Sequence, residues 1–243
     1  MTSTQRRIKL NSDFNHIMWF FLLLCAYLLA PAILAIIYGI AQGIDTTAPE
    51  FTPIAIFAQT AGLFPILAIS LYFSRRLFIE DWKKIKKKVW LPIVLIVAGT
   101  IAIFALSIMV NIFYSLIGLE GTSANQSTLE ETILSKYGYV MLISIVIFAP
   151  ILEELIFRKF LFGIIEDKLK WPAWSAIIIS SLIFALIHLM SGDFQYILLY
   201  LPQAVVLSLA YHLSKNNILV PIGIHFVINS FAALAMILSS GVA

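Results

Sequence analysis

Glu153 and Glu154 stand side by side in A-P-I-L-E-E-L-I-F-R-K-F (149–160), inside an apolar run, with Arg158 four positions after the second of them. On a helix Glu154 and Arg158 share a face in the favourable acid-before-base order. Glu153 is turned about 100° away and has no partner of its own. A carboxylate at membrane depth costs about 2.5 kcal/mol or more, so Glu153 needs a donor or water. Two later segments carry the residue types that a lone carboxylate base would use. S-L-I-F-A-L-I-H-L-M sets Phe184 and His188 on one helical face, and P-I-G-I-H-F-V-I-N-S does the same for His225 and Asn229.

Hydrolysis of an amide at neutral pH requires a base for water, a proton donor for the leaving amine and donors for a developing oxyanion. Glu153 can take the proton and return it, His188 can share or orient the water, and N–H groups of His225 and Asn229 can meet the oxyanion. Other chemistries compete. An ion pair that merely locks helices accounts for Glu154 and Arg158, but not for an amide in lipid such as Asn229, which gains little without a partner. A His₂Glu zinc centre is opposed by the absence of H-E-x-x-H spacing and by the positive charge of Arg158. A proton-relay transporter would be expected to show internal repeats or paired broken helices, and neither is present. A non-catalytic scaffold that binds peptides stays open, because a motif does not prove turnover.

The elements that must position these groups are membrane helices. The chain is 61% hydrophobic and 12% charged, with a mean hydropathy of +0.97, far from the composition of soluble domains. Apolar runs near the roughly 20 residues that a span requires occur at 17–43, 51–74, 89–118, 138–165, 171–190, 194–213 and 217–239. The expectation is an all-α polytopic fold of about seven transmembrane helices, or eight, around a buried polar site. The first run is too long for a secretory leader and is read as a span. With the N-terminus cytoplasmic, every Lys and Arg except Lys136 falls on the inner side. The chain is therefore expected to be a multi-pass protein of the cell membrane. Trp82, Trp90, Trp171 and Trp174 fall at helix ends, as interfacial indoles do.

The net charge of +3 is no sign of nucleic acid. Its densest run, Arg75 to Lys88, adjoins two spans and suits topological anchoring or anionic lipid head groups, at about 1 kcal/mol per basic residue. Cys25 is the lone cysteine and excludes an internal disulfide. His16 and His212 sit at helix ends and are ordinary interfacial histidines, while Glu130 and Glu131 read as a solvated pair in the polar loop 119–137. That loop separates residues 1–137, with N-terminal spans and a basic loop, from 138–243, where the intramembrane charge is concentrated, within one membrane domain.

E-E-x-x-x-R, F-x-x-x-H and H-x-x-x-N, in that order on three spans, resemble the signature of the CPBP membrane peptidases. This group is named for CAAX proteases and bacteriocin-processing enzymes and includes the bacterial Abi proteins. The resemblance covers roughly 138–239. It implies a glutamic intramembrane endopeptidase with no metal or cofactor, acting on a membrane peptide or membrane protein. It further implies that Glu153 is the catalytic glutamate and His188 its partner on the attacking water. His225 and Asn229 would stabilise the oxyanion, with Glu154, Arg158 and Phe184 in support. Relatives are linked with prenylated C-termini, bacteriocin immunity, peptide-signal maturation or secretion, and nothing in the sequence selects among these.

One tension accompanies this reading. At about 1.5 Å per residue, ideal spans put His225 about 12 Å, Glu153 about 18 Å and His188 about 26 Å from the inner surface. A turn at Ser191–Asp193 that stops short of the outer surface and is buried in protein would relieve it. Access of water is expected from the cytoplasmic side.

Overall fold

A computed structural model describes residues 3–239 apart from 47, 49, 50, 136 and 137, with the backbone alone for 3–14 and 239. Lys136, the one basic residue expected on the far side, lies outside the described residues. All regular structure among them is helical: α1 (Ser3–Gln42), α2 (Phe51–Lys87), α3 (Trp90–Leu116), α4 (Ala124–Ile133), α5 (Gly138–Lys168) and α6 (Ala173–Ile187) are followed by a 3₁₀ helix (Phe194–Leu199) that leads into α7 (Leu201–Leu213), and then by α8 (Leu219–Ser239). Six helices are long and apolar enough to cross a bilayer: Asn15–Gln42 within α1, α2, α3, α5, Phe194–Leu213 and Leu219–Leu238. This is a polytopic membrane fold.

α6 is the exception, and its shortness matters. Its 15 residues extend about 22 Å, less than the hydrocarbon core of about 30 Å. His188 caps its end and so stops short of the depth expected for an ideal span. The turn that follows differs from expectation, because Ser191 and Gly192 are exposed and only Asp193 is half-buried. Since the helix ends early, this turn docks against the α3–α4 connection instead of sinking into the protein. Asp193 Oδ2 accepts the Ala124 N–H at 2.7 Å, and the Tyr196 hydroxyl donates to the Glu120 carbonyl at 2.8 Å.

The polar loop 119–137 is likewise more ordered than its composition suggests. Ser123 caps α4 by accepting the Gln126 N–H, and the helix turns Leu129 and Ile133 inward, Ile133 being buried. At the basic end of the molecule, Asp81 is fully buried within the Arg75–Lys88 run. Its carboxylate accepts the Ile218 N–H at 2.9 Å and its carbonyl accepts Asn217 Nδ2 at 3.0 Å. The basic segment is thus tied to the α7–α8 turn, which carries the start of α8.

One apolar core joins both halves of the chain: Phe20, Leu23 and Leu63 pack with Leu152, Phe157, Phe184 and Ala204. α3 approaches α8 closely at Gly99, where a Cβ would stand 2.6 Å from Ile224 Cδ1. That contact seats the turn of α8 that bears His225.

Candidate active site

α5 is wound irregularly, and the cause is local. Ser144–Phe148 and Leu155–Phe162 are π-helical, flanking the α-helical turn Ala149–Glu154. In i→i+5 winding, the Ala149 N–H reaches the Ser144 carbonyl, and the next donor in the series would serve the Ile145 carbonyl. That donor is residue 150, a proline with no N–H. Asn229 Nδ2 fills the place, donating to the Ile145 carbonyl at 2.9 Å. The amide that the sequence left without a partner therefore has one, and it ties α8 to α5. Wider winding also fits more residues into each turn, so Glu153 lies closer to the inner end of its helix than ideal α geometry predicts.

The two adjacent glutamates occupy different environments. Glu154, Arg158 and His225 form one fully or almost fully buried chain. Arg158 Nε stands 3.1 Å from Glu154 Oε2, and His225 Nδ1 stands 2.9 Å from Glu154 Oε1. Arg158 Nη2 donates to the Ala204 carbonyl at 3.2 Å, which anchors α5 to α7. Its guanidinium lies 4.9 Å from the centre of the Phe184 ring, a cation–π contact. Phe184 also meets the His188 ring at a centroid distance of 4.5 Å, so F-x-x-x-H is a packing unit that fixes an imidazole.

Glu153 faces the other way. It is 5% exposed, and its Oε2 is buried without a hydrogen-bond partner. Two imidazole nitrogens point at that oxygen: His225 Nε2 at 3.8 Å and His188 Nε2 at 4.0 Å. These separations are too long for direct hydrogen bonds, so both imidazoles approach the oxygen without bonding to it. His188 Nδ1 lies 2.8 Å from the Phe184 carbonyl. A carbonyl only accepts, so Nδ1 carries a proton, and Nε2 presents a lone pair to Glu153 when the ring is neutral. By the same logic the Glu154 carboxylate holds a proton on His225 Nδ1, and Nε2 of that ring donates only when the ring is an imidazolium.

The partner of Glu153 Oε1 is a residue that sequence reasoning missed. Tyr27, from α1, donates its hydroxyl to Oε1 at 2.5 Å. Nothing in the first 137 residues marked it out, because one tyrosine in an apolar helix has no spacing signal.

The group opens on a cavity of about 390 Å³ lined by Glu153, His188, His225 and Asn229. α4 contributes Asn125, Gln126, Thr128 and Leu129 to its wall. The cavity therefore extends toward the α4 end of the molecule, away from Arg75–Lys88, which opposes the expectation of access from the basic side. Among the described residues no three His, Cys, Asp or Glu side chains form a group suited to hold a metal ion.

Comparison with known proteins bears on the same region. The family described as "Type II CAAX prenyl endopeptidase Rce1-like" matches residues 135–231, a range that contains the seven candidate site residues but not Tyr27. The chain is 31% identical over 197 residues to the membrane-embedded CAAX protease MroQ of Staphylococcus aureus (strain USA300), covering 78% of this chain and 77% of the relative. It is 33% identical over 150 residues to the putative membrane peptidase YdiL of Bacillus subtilis (strain 168), covering 61% and 58%. No solved structure matches it.

Proposed function

The chain belongs to the Rce1-like family of CAAX-protease membrane peptidases, and on that footing we propose that it is a metal-independent glutamic endopeptidase that cleaves a membrane-associated peptide or protein. Glu153 Oε2, unpartnered between two imidazole nitrogens, is the observation that carries this reading. A water held there donates one hydrogen to Glu153 Oε2 and a second to the His188 Nε2 lone pair. As its oxygen attacks the peptide carbonyl, Glu153 takes the proton. The His225 imidazolium, stabilised by Glu154, donates from Nε2 to the oxyanion, and the second N–H of Asn229 joins it. The C–N bond then breaks as Glu153 returns the proton to the amine, which leaves a carboxylic acid and an amine.

Charge neutrality supports the imidazolium. Glu153 and Glu154 bring two negative charges into a buried cluster where Arg158 supplies one positive charge, and a protonated His225 supplies the second. Residues 138–243 act as the catalytic core and 1–137 as the spans that complete it. With the N-terminus cytoplasmic in the cell membrane, Arg75–Lys88 meets anionic lipids at the inner face. The cavity then receives its peptide from the opposite face.

The test is cleavage of membrane peptides by purified protein. Turnover that Glu153→Gln abolishes and a chelator leaves intact supports the reading. Loss with chelator points to a zinc enzyme, and specific peptide binding without turnover points to a scaffold.

A further inference from the structure

We infer that Tyr27 is a positioning residue of the active site, one that selects which oxygen of Glu153 acts as the base; this rests on the peptidase reading above. The carboxylate has two oxygens, and the terminal torsion of a glutamate is soft, with a broad two-fold profile. The surroundings make the oxygens unequal. Oε1 accepts the Tyr27 hydroxyl at 2.5 Å, at the short end for an O–H donor on a carboxylate. Oε2 has no partner and faces both histidines. With the hydroxyl in place, the carboxylate plane is held so that the free oxygen faces the two imidazoles. Without it, rotation about the last torsion carries the base away from the water.

The hydroxyl is carried by a helix that lies outside the family-matched segment in sequence and packs against it. α1 is anchored by Phe20 and Leu23, buried against the core of α2, α5 and α6, and Tyr27 lies one turn beyond Leu23 on that buried side and lines the cavity. The bond also persists through the reaction: when Oε2 takes the proton of water, Oε1 remains a carbonyl acceptor for the same hydroxyl. Tyr27 thus need not exchange its proton at any step. The first helix, which carries none of the E-E-x-x-x-R, F-x-x-x-H or H-x-x-x-N signals, becomes part of the catalytic arrangement.

Tyr27→Phe keeps the ring and removes only the hydroxyl. In steady-state cleavage of a membrane peptide its kcat falls by about 10-fold to 100-fold, the scale of a small misplacement of a reacting group, while KM stays within about twofold. Tyr38→Phe, an exposed position on the same helix, leaves both constants unchanged. An independent reading comes from the full chain labelled with 13Cζ-tyrosine. The Tyr27 resonance, identified by its loss in Tyr27→Phe, shifts on Glu153→Gln and stays put on Glu131→Gln. An inactive Glu153→Gln beside a fully active Tyr27→Phe overturns the positioning role alone, and an unmoved Tyr27 resonance overturns the contact whatever the activity. An active Glu153→Gln overturns the peptidase reading and this inference with it.

Discussion

The chain contains two Glu-Glu pairs, and they have opposite fates. Glu130 and Glu131 lie on α4, where Glu131 is exposed and Glu130 is half-buried, accepting Gln126 Nε2 at 3.1 Å. Water solvates such groups, and their charge is of little consequence. Glu153 and Glu154 lie on α5, 5% and 0% exposed, with His225 between them: Nδ1 meets Glu154 and Nε2 approaches Glu153. The dipeptide is the same, so the difference comes from the surrounding helices. Burial presses polar atoms to find partners, and Glu153 Oε2, without a hydrogen bond between two imidazole nitrogens, becomes the site of interest. The pair also divides its labour. Glu154 is engaged with Arg158 and His225, and the proposed mechanism assigns the substrate chemistry to Glu153.

Breaking the buried pair at its free member has the largest expected effect. Glu153→Gln removes the base and lowers peptide cleavage by about 10²–10⁴-fold, with the melting temperature in detergent close to that of the native protein. Next comes the structural member. Arg158→Met leaves Glu154 buried beside His225 without its cation and destabilises the fold by about 3–5 kcal/mol, measured by thermal unfolding. The double variant Glu154→Gln/Arg158→Met regains most of that stability but not the activity, since His225 has lost its carboxylate.

Asn229 sharpens the comparison by separating support from chemistry. Asn229→Ala leaves the Ile145 carbonyl unpaired at a cost of about 1–3 kcal/mol. Pro150→Ala in that background restores a backbone N–H where one is missing, and the melting temperature rises again. Activity does not follow, if the second Asn229 N–H meets the oxyanion. Recovery of both would make Asn229 purely structural. The smallest effect is expected at the solvated pair: Glu131→Gln changes stability by less than about 0.5 kcal/mol and leaves turnover unaltered.

Much of this was legible in the residues themselves, and the remainder has identifiable physical causes. Apolar length located the spans, and i,i+4 spacing paired Glu154 with Arg158, Phe184 with His188 and His225 with Asn229. Helical spacing says nothing about which helices meet. The bond from His225 to Glu154 and the one from Tyr27 to Glu153 join residues 71 and 126 positions apart. Ideal geometry also misled. Uniform spans set Glu153, His188 and His225 at three depths, whereas a short α6 and a π-wound α5 bring them to one oxygen. The proline that helps to cause this was visible at position 150, but its consequence, an orphaned carbonyl claimed by Asn229, needed both helices in view.

The most direct test of the central claim is the cleavage of a membrane peptide by the purified protein, with Glu153→Gln and Glu154→Gln measured side by side and each repeated with a chelator. The account predicts a rate about 10²–10⁴-fold lower from Glu153→Gln, a smaller loss from Glu154→Gln, and indifference to the chelator throughout. Equal losses at the two glutamates together with inhibition by the chelator would contradict it, because both carboxylates would then be serving a metal ion and not dividing base from support.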